Sequence, residues 1–148
     1  QCLEVAEHLP KTRAGGLISA LCALSDIVLF SAAQPGQGGE NHINEQSPDY
    51  WADLFDQHGY SRFDCLRPVI ARERAIEPWY RFNSFLFANA AGIARLPPDI
   101  LAHRTTGPAA DYGDLCWRLR RALLRPLPVA TVTGLSRLHY RLRTALRS

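Results

Sequence analysis

Methionine is missing from this chain, lysine occurs once against 16 arginines, and the acidic residues stop at Asp114. No apolar run approaches the ~20 residues that a membrane span needs, and no basic-then-apolar leader opens the sequence, so a soluble, cytoplasmic protein is expected. There is no C-x-x-C pair. Cys2, Cys22, Cys65 and Cys116 stand far apart, three of them among apolar neighbours, which argues for reduced buried thiols over a disulfide frame or a zinc knuckle. The first residue is Gln, and Cys2 to Val5 reads as the end of a buried strand. The expectation is a piece of a longer protein.

What remains is ordinary globular material: 148 residues, 47% apolar and 21% charged, enough for one core. The net charge of +3 conceals two unlike parts. Residues 1–114 carry 9 Lys/Arg against 14 Asp/Glu, whereas 115–148 carry eight arginines and no acid. The bias of arginine over lysine fits a GC-rich coding sequence before it fits any function.

Ala14, Leu17, Ile18, Leu21 and Leu24 follow the spacing of a helix with one buried face, although Gly15 and Gly16 weaken its first turn. Ile27 to Phe30 is an uninterrupted apolar run, the mark of a parallel strand covered on both faces. A polar loop, Gln34 to Gln46, follows and is longer than a connector requires. Ser47 as N-cap, Pro48 in the first helical position and Asp49 at the positive end of the dipole open a helix. Trp51, Leu54 and Phe55 form its inner face, and Gly59 stops it. Phe63 to Leu66 and Phe82 to Asn89 read as further strands. The order implies an α/β sheet with an antiparallel edge pair. Residues 92–113 look like a linker, and two basic amphipathic segments, Leu115 to Leu124 and Leu135 to Leu146, complete the chain.

The run Cys2-Leu3-Glu4-Val5-Ala6-Glu7-His8-Leu9-Pro10 resembles the fourth-strand motif of class I S-adenosylmethionine-dependent methyltransferases, where Glu-x-x-Glu-His-Leu follows the strand tip. Val28 to Gly39, His42 to Gln46, Tyr50-Trp51 and Gly59-Tyr60 are similar to the fifth strand, its loop and the next helix in a bacterial subgroup of that family. The likeness covers about residues 2–89. It implies a Rossmann-like methyltransferase sheet of which strands 4-5-7-6 are present, with residues 1–91 as the C-terminal half of the domain, 92–113 as linker and 114–148 as a basic helical tail. It also implies that Leu3 and Glu4 face S-adenosylmethionine. The family's Gly-rich turn after strand one and acidic residue after strand two have no counterpart here, and Gly36-Gln37-Gly38-Gly39 follows the wrong strand to replace them. This chain alone is expected to bind cofactor weakly or not at all, with the missing N-terminal half as its partner.

Two loops should face the acceptor, because an open α/β sheet places its chemistry at the carboxyl ends of its strands. Glu4, Glu7 and His8 lie on one; His42, Asn44 and Glu45 lie on the other. His42 and Glu45 are the catalytic candidates, His42 reading either as a general base or as an ordinary loop histidine. Glu4, Glu7, His8 and His42 together could hold a divalent ion, Mg, Mn or Zn, in a manner similar to the metal site of small-RNA 2′-O-methyltransferases and ubiquinone-pathway O-methyltransferases. Read without the resemblance, Glu4 is an end-of-strand carboxylate taking backbone amides, and Glu7 and His8 are a helix-start cap and a solvated pair. Tyr50 and Trp51 line the acceptor pocket or, as is commoner for aromatics on an inner helix face, belong to the core. The basic tail is a solvated extension, a contact for an anionic membrane surface, or, third, a nucleic-acid contact.

The resulting expectation is methyl transfer to an oxygen, or else a nitrogen, of a small molecule or sugar. Its rivals are a non-catalytic α/β interaction fragment and a metal-dependent RNA 2′-O-methyltransferase.

Overall fold

The computed structural model describes residues 1–145. The chain is mixed α/β, built on a five-stranded sheet. β1 (Cys2–Leu3) runs parallel to β2 (Ile27–Ser31). β4 (Phe85–Ala88) lies antiparallel between β2 and β3 (Ser61–Phe63), and β5 (Arg104–Thr105) adds antiparallel to β3. The order across the sheet is β1-β2-β4-β3-β5.

A short 3-10 turn, Ala6–His8, follows β1 directly. Helix α1 (Ala14–Leu24) returns the chain to β2 and packs against α2 (Pro48–Asp56). α2 begins as its sequence dictates: the Ser47 hydroxyl accepts the Tyr50 amide at 3.2 Å, and Trp51 and Phe55 turn inward. Gly59, at φ +74°, reverses the chain after it, a left-handed conformation that glycine adopts without steric cost. Phe55 and Phe87 stack at 3.9 Å, with Phe30 edge-on to both and Trp51 tilted over Phe30. This aromatic cluster, with Val28, Ile18 and Tyr60, is the main core. The Tyr60 hydroxyl lies 2.6 Å from the Ser25 carbonyl and 3.0 Å from that of Cys22, fixing the end of α1 to the start of β2.

Several expectations are corrected. β2 is not covered equally on both faces: Val28 and Phe30 are buried while Ile27 and Leu29 are half-buried, because the helices α1 and α2 are concentrated over one side. Leu24 is exposed, since α1 ends where the chain turns toward Asp26. The strand expected at Phe63–Leu66 is β3, and it stops at Phe63 because Asp64 turns aside to pair with Arg67. Its neighbour Leu66 instead precedes a single helical turn, α3 (Arg67–Ile70). Of the strand expected over 82–89, the first two residues belong to α4 (Pro78–Asn83), opened by Pro78. Trp51, by contrast, is buried in the core, the commoner of its two readings.

The antiparallel pair β3/β4 does not form the edge, because the stretch 92–113 supplies β5 beyond it, after two short helices, α5 (Ala90–Ile93) and α6 (Pro98–Leu101). That stretch is tied down by charge. Arg62 binds Asp49 at 2.8 Å and the Gly107 carbonyl, and Arg67, itself buried, reaches the Ala110 carbonyl at 3.0 Å. α7 (Leu115–Leu124) starts on Asp114, whose carboxylate caps the Trp117 amide, and α8 (Val129–Ala145) begins six residues before the expected Leu135. Leu146 lies outside the described residues. All four cysteines are free; Cys2 and Cys65 are buried, Cys22 is half-buried and Cys116 is exposed.

Candidate functional site

The carboxyl ends of the parallel pair β1 and β2 lie side by side, and the segments that follow them build one site. Glu4, at the tip of β1, has φ +52°, a left-handed conformation unusual for a residue with a Cβ. Its amide is held by the Ser31 carbonyl at 3.0 Å and the Ser31 hydroxyl at 3.1 Å, so the end of β2 fixes the turn. The long loop after β2 then folds back over the Ala6–His8 turn. The amides of Ile43 and Asn44 both donate to the Glu7 carbonyl, at 2.9 and 3.0 Å, and the Asn44 side chain donates to the Ala6 carbonyl. These bonds bring His42 to the pair that follows β1.

Glu7, His8 and His42 each place a ligand atom within 4.8 Å of the others, and the two imidazole rings meet edge to face at 4.9 Å. Glu7 is completely buried, and neither of its carboxylate oxygens meets a hydrogen-bond donor. A buried carboxylate without donors is costly when ionised. Burial pushes its pKa up to about 7, and the charge of Glu4 adds to the rise. Its own backbone and the charge of His42 oppose the rise.

The two histidines are prepared differently from Glu7. His8 Nδ1 lies 3.3 Å from the Asn41 carbonyl, and His42 Nδ1 lies 3.1 Å from Glu45 Oε1. Carbonyl and carboxylate oxygens accept, so each Nδ1 is the donor in its contact, and Nε2 is the ring nitrogen a neutral imidazole so held would offer as a ligand. A carboxylate behind an imidazole is the arrangement that orients metal-binding histidines. The donor set of one carboxylate and two imidazoles, around a buried carboxylate with nothing to neutralise it, fits a divalent cation.

The remaining expected residues fall elsewhere. Glu4 stands outside this triad: Gln37 donates to its Oε2 at 2.9 Å and Asn83 to its Oε1 at 3.2 Å. Glu45 turns from the triad toward its own loop, accepting the amides of Gly36 at 2.7 Å and Gly38 at 2.8 Å besides His42. Leu3 is half-buried in β1, paired with Ser31. Tyr50 packs against the core.

A cavity of about 670 Å³ opens onto Glu7, His8 and His42. Its far walls are Trp79, Trp117, Leu124, Leu135 and Tyr140, so the basic tail is a wall of the site. α7 grips the loop after β2 through Arg120, which donates to the Gln37 carbonyl at 3.0 Å, and Arg121, which donates to that of Pro35 at 3.3 Å. Gly36 and Gly38, at φ +82° and +68°, permit the approach: a Cβ on Gly36 would lie 2.2 Å from the Arg121 carbonyl oxygen.

Comparisons of the chain with protein-family models, with curated proteins and with solved structures return no match. The site therefore rests on its own geometry.

Three groups of site residues were not singled out from sequence. Gln34, Gln37 and Asn83 form an amide network around Glu4, with Asn83 donating to Gln37 Oε1 at 2.7 Å and Gln34 to Asn83 Oδ1 at 3.0 Å. Gln37 did carry a signal, a lone amide between two glycines. Trp79 and Trp117 carried none, because their cavity is assembled from segments far apart in the chain. Asn44, named only as a loop residue, is a buried tie between the two loops.

Proposed function

We propose that this chain is the C-terminal half of a class I methyltransferase domain that transfers a methyl group from S-adenosylmethionine to a hydroxyl oxygen, with a divalent cation held by Glu7, His8 and His42. The observation that carries the reading is the buried, donor-free carboxylate of Glu7 between two imidazoles whose Nδ1 atoms are already engaged. The sheet supports it: β1-β2-β4-β3, with β1 and β2 parallel and β4 antiparallel to both its neighbours, is the 4-5-7-6 order that the resemblance implies.

The cofactor supplies an electrophilic methyl group on a sulfonium. Leu3 and Glu4 are the residues this chain would lend to its cradle, Glu4 being fixed in its left-handed turn and by Gln37 and Asn83. Glu7, His8 and His42 would hold a divalent cation, which would supply Lewis-acid activation of an acceptor hydroxyl beside them. Glu45 is a positioning residue: it holds His42 in one tautomer and locks the loop through two glycine amides. The walls formed by Trp79, Trp117 and Leu124 exclude water and seat an acceptor whose body is apolar, with its hydroxyl at the triad. An oxygen of a small molecule fits these walls better than a bare sugar does. A 2′-hydroxyl of RNA would use the same triad.

The test uses the protein expressed from its full reading frame. Titration calorimetry should show S-adenosylmethionine binding, and methyl transfer should fall ~100-fold or more on chelation, return with Mg, Mn or Zn, and be lost in a Glu7→Gln variant that still unfolds in one cooperative transition. Absence of cofactor binding would remove the methyltransferase; activity indifferent to chelation would remove the metal alone.

One feature favours a second reading, a non-catalytic fragment that docks on a partner. β1 pairs only with β2 and leaves its outer side as a sheet edge. A stable complex with a separate strand-bearing chain, without cofactor affinity, would establish that reading.

A further inference from the structure

We propose that α7 and α8 together form a surface that lies on an anionic lipid bilayer. Each helix has one side committed to the protein. On α7 that side is Trp117, buried against Phe82 at 5.4 Å, with Arg120 and Arg121 on the loop carbonyls. On α8 it is Val132 and Thr133, both buried, with the Thr133 hydroxyl accepting the Asn41 amide at 3.1 Å.

The opposite sides are apolar and face outward. Leu115, Leu119 and Leu123 recur every four residues along α7 and are 70%, 53% and 72% exposed. Leu138 and Leu142, four residues apart along α8, are 54% and 56% exposed, whereas Leu135 lines the cavity. Residues at this spacing share one face of a helix. Leu115, Leu119, Leu138 and Leu142 stand outward, with Leu123 at the cavity rim, and such exposed apolar side chains mark an interaction surface.

Charge decides the occupant. No acidic residue follows Asp114, while eight arginines do. Among the described residues, two of those arginines are ion-paired, Arg121 with Asp111 at 3.7 Å and Arg137 with Glu40 at 2.8 Å. Arg118 donates to the neutral Gly113 carbonyl and has no ion pair among the described residues, whereas Arg120 donates to the Gln37 carbonyl within the field of Glu45. A second copy of this surface would set positive charge against positive charge. Sequence-tolerant nucleic-acid binding stacks bases on several rings, and among the described residues of α7 and α8 Trp117 is buried while His139 and Tyr140 are exposed, too few for a stacking platform along both helices. An anionic bilayer takes both features at once: leucines enter the headgroup boundary while arginines flanking them meet lipid phosphates and carboxylates.

The proposal is independent of the methyltransferase reading. Its test is co-sedimentation of the protein from its full reading frame with phosphatidylcholine vesicles, with and without phosphatidylserine. Binding should require phosphatidylserine and weaken with salt, and the double variant Leu115→Asp/Leu119→Asp should lose it about tenfold or more with an unchanged circular dichroism melt. A milder pair, Leu138→Ser/Leu142→Ser, should lower it in the same direction should the first variant melt early. Three results would overturn the proposal: no sedimentation with phosphatidylserine vesicles at low salt, vesicle binding insensitive to both leucine pairs, or a dimer in light scattering that the leucine variants dissolve. Tighter binding to single-stranded RNA than to vesicles, unaffected by the leucine pairs, would assign the arginines to nucleic acid and overturn it too.

Discussion

At the scale of single residues, Glu7 has consequences that reach stability. Its folded pKa of about 7 stands above its ordinary value near 4.5, so the native state holds a proton that the unfolded chain releases. Its contribution is therefore fully present below about pH 4.5 and is lost as pH rises through about 7, a penalty on the order of 3 kcal/mol at mild alkalinity. In chelator, urea unfolding of the wild type should weaken over that interval relative to Glu7→Gln, which cannot titrate. Adding a divalent cation at pH 7.5 should raise the melting temperature of the wild type and leave Glu7→Gln unmoved. Glu7 stood out in the sequence because Glu-x-x-Glu-His is a compact pattern of ligand types. The separation of roles within that pattern was not legible. Whether Glu4 or Glu7 is left without donors depends on Gln37 and Asn83, which lie 33 and 79 residues from Glu4 in sequence.

At the scale of elements, local signals were read where the cause is local. Ser47-Pro48-Asp49 fixed the start of α2, and α7 keeps the bounds Leu115–Leu124 that its pattern gave. The failures share a cause, charged side chains that fold inward. Arg67 is 1% exposed; it makes a two-pronged pair with Asp64 at 2.9 and 2.6 Å and stacks 3.9 Å over Phe85. Nothing in the string around Asp64 announces that burial, so the end of β3 and the anchoring of 92–113 could not be foreseen. Asp64→Ala would leave Arg67 buried and unpaired, and should cost about 3–5 kcal/mol, read as a lowered urea midpoint with unchanged slope. Asp64→Glu should recover part of that loss.

For the whole molecule, the sheet was legible in its main lines. Apolar runs gave β2 and β4 and, with the helices between them, a mixed α/β sheet. The tail was not legible as part of the site. Amphipathic helices announce that one face is covered, but the partner that covers it is a glycine loop some 80 residues earlier. Stability should be graded accordingly. β2 is paired on both sides and backed by the aromatic core, whereas α8 rests on Val132 and Thr133 with much of its length exposed. In hydrogen exchange, the amides of Val28 and Phe87 should open only with global unfolding, while those beyond residue 137 of α8 should exchange much sooner. Equal protection in both would mean that the tail and sheet unfold as one unit.

The 34–46 segment answers to two masters. One end of it aims an imidazole, through Glu45; its glycine crest is clasped by guanidinium groups of a helix whose other flank is oily and cationic. Whatever presses on that flank is felt, through two arginine-to-carbonyl grips, by the backbone that sets the angle of the ring.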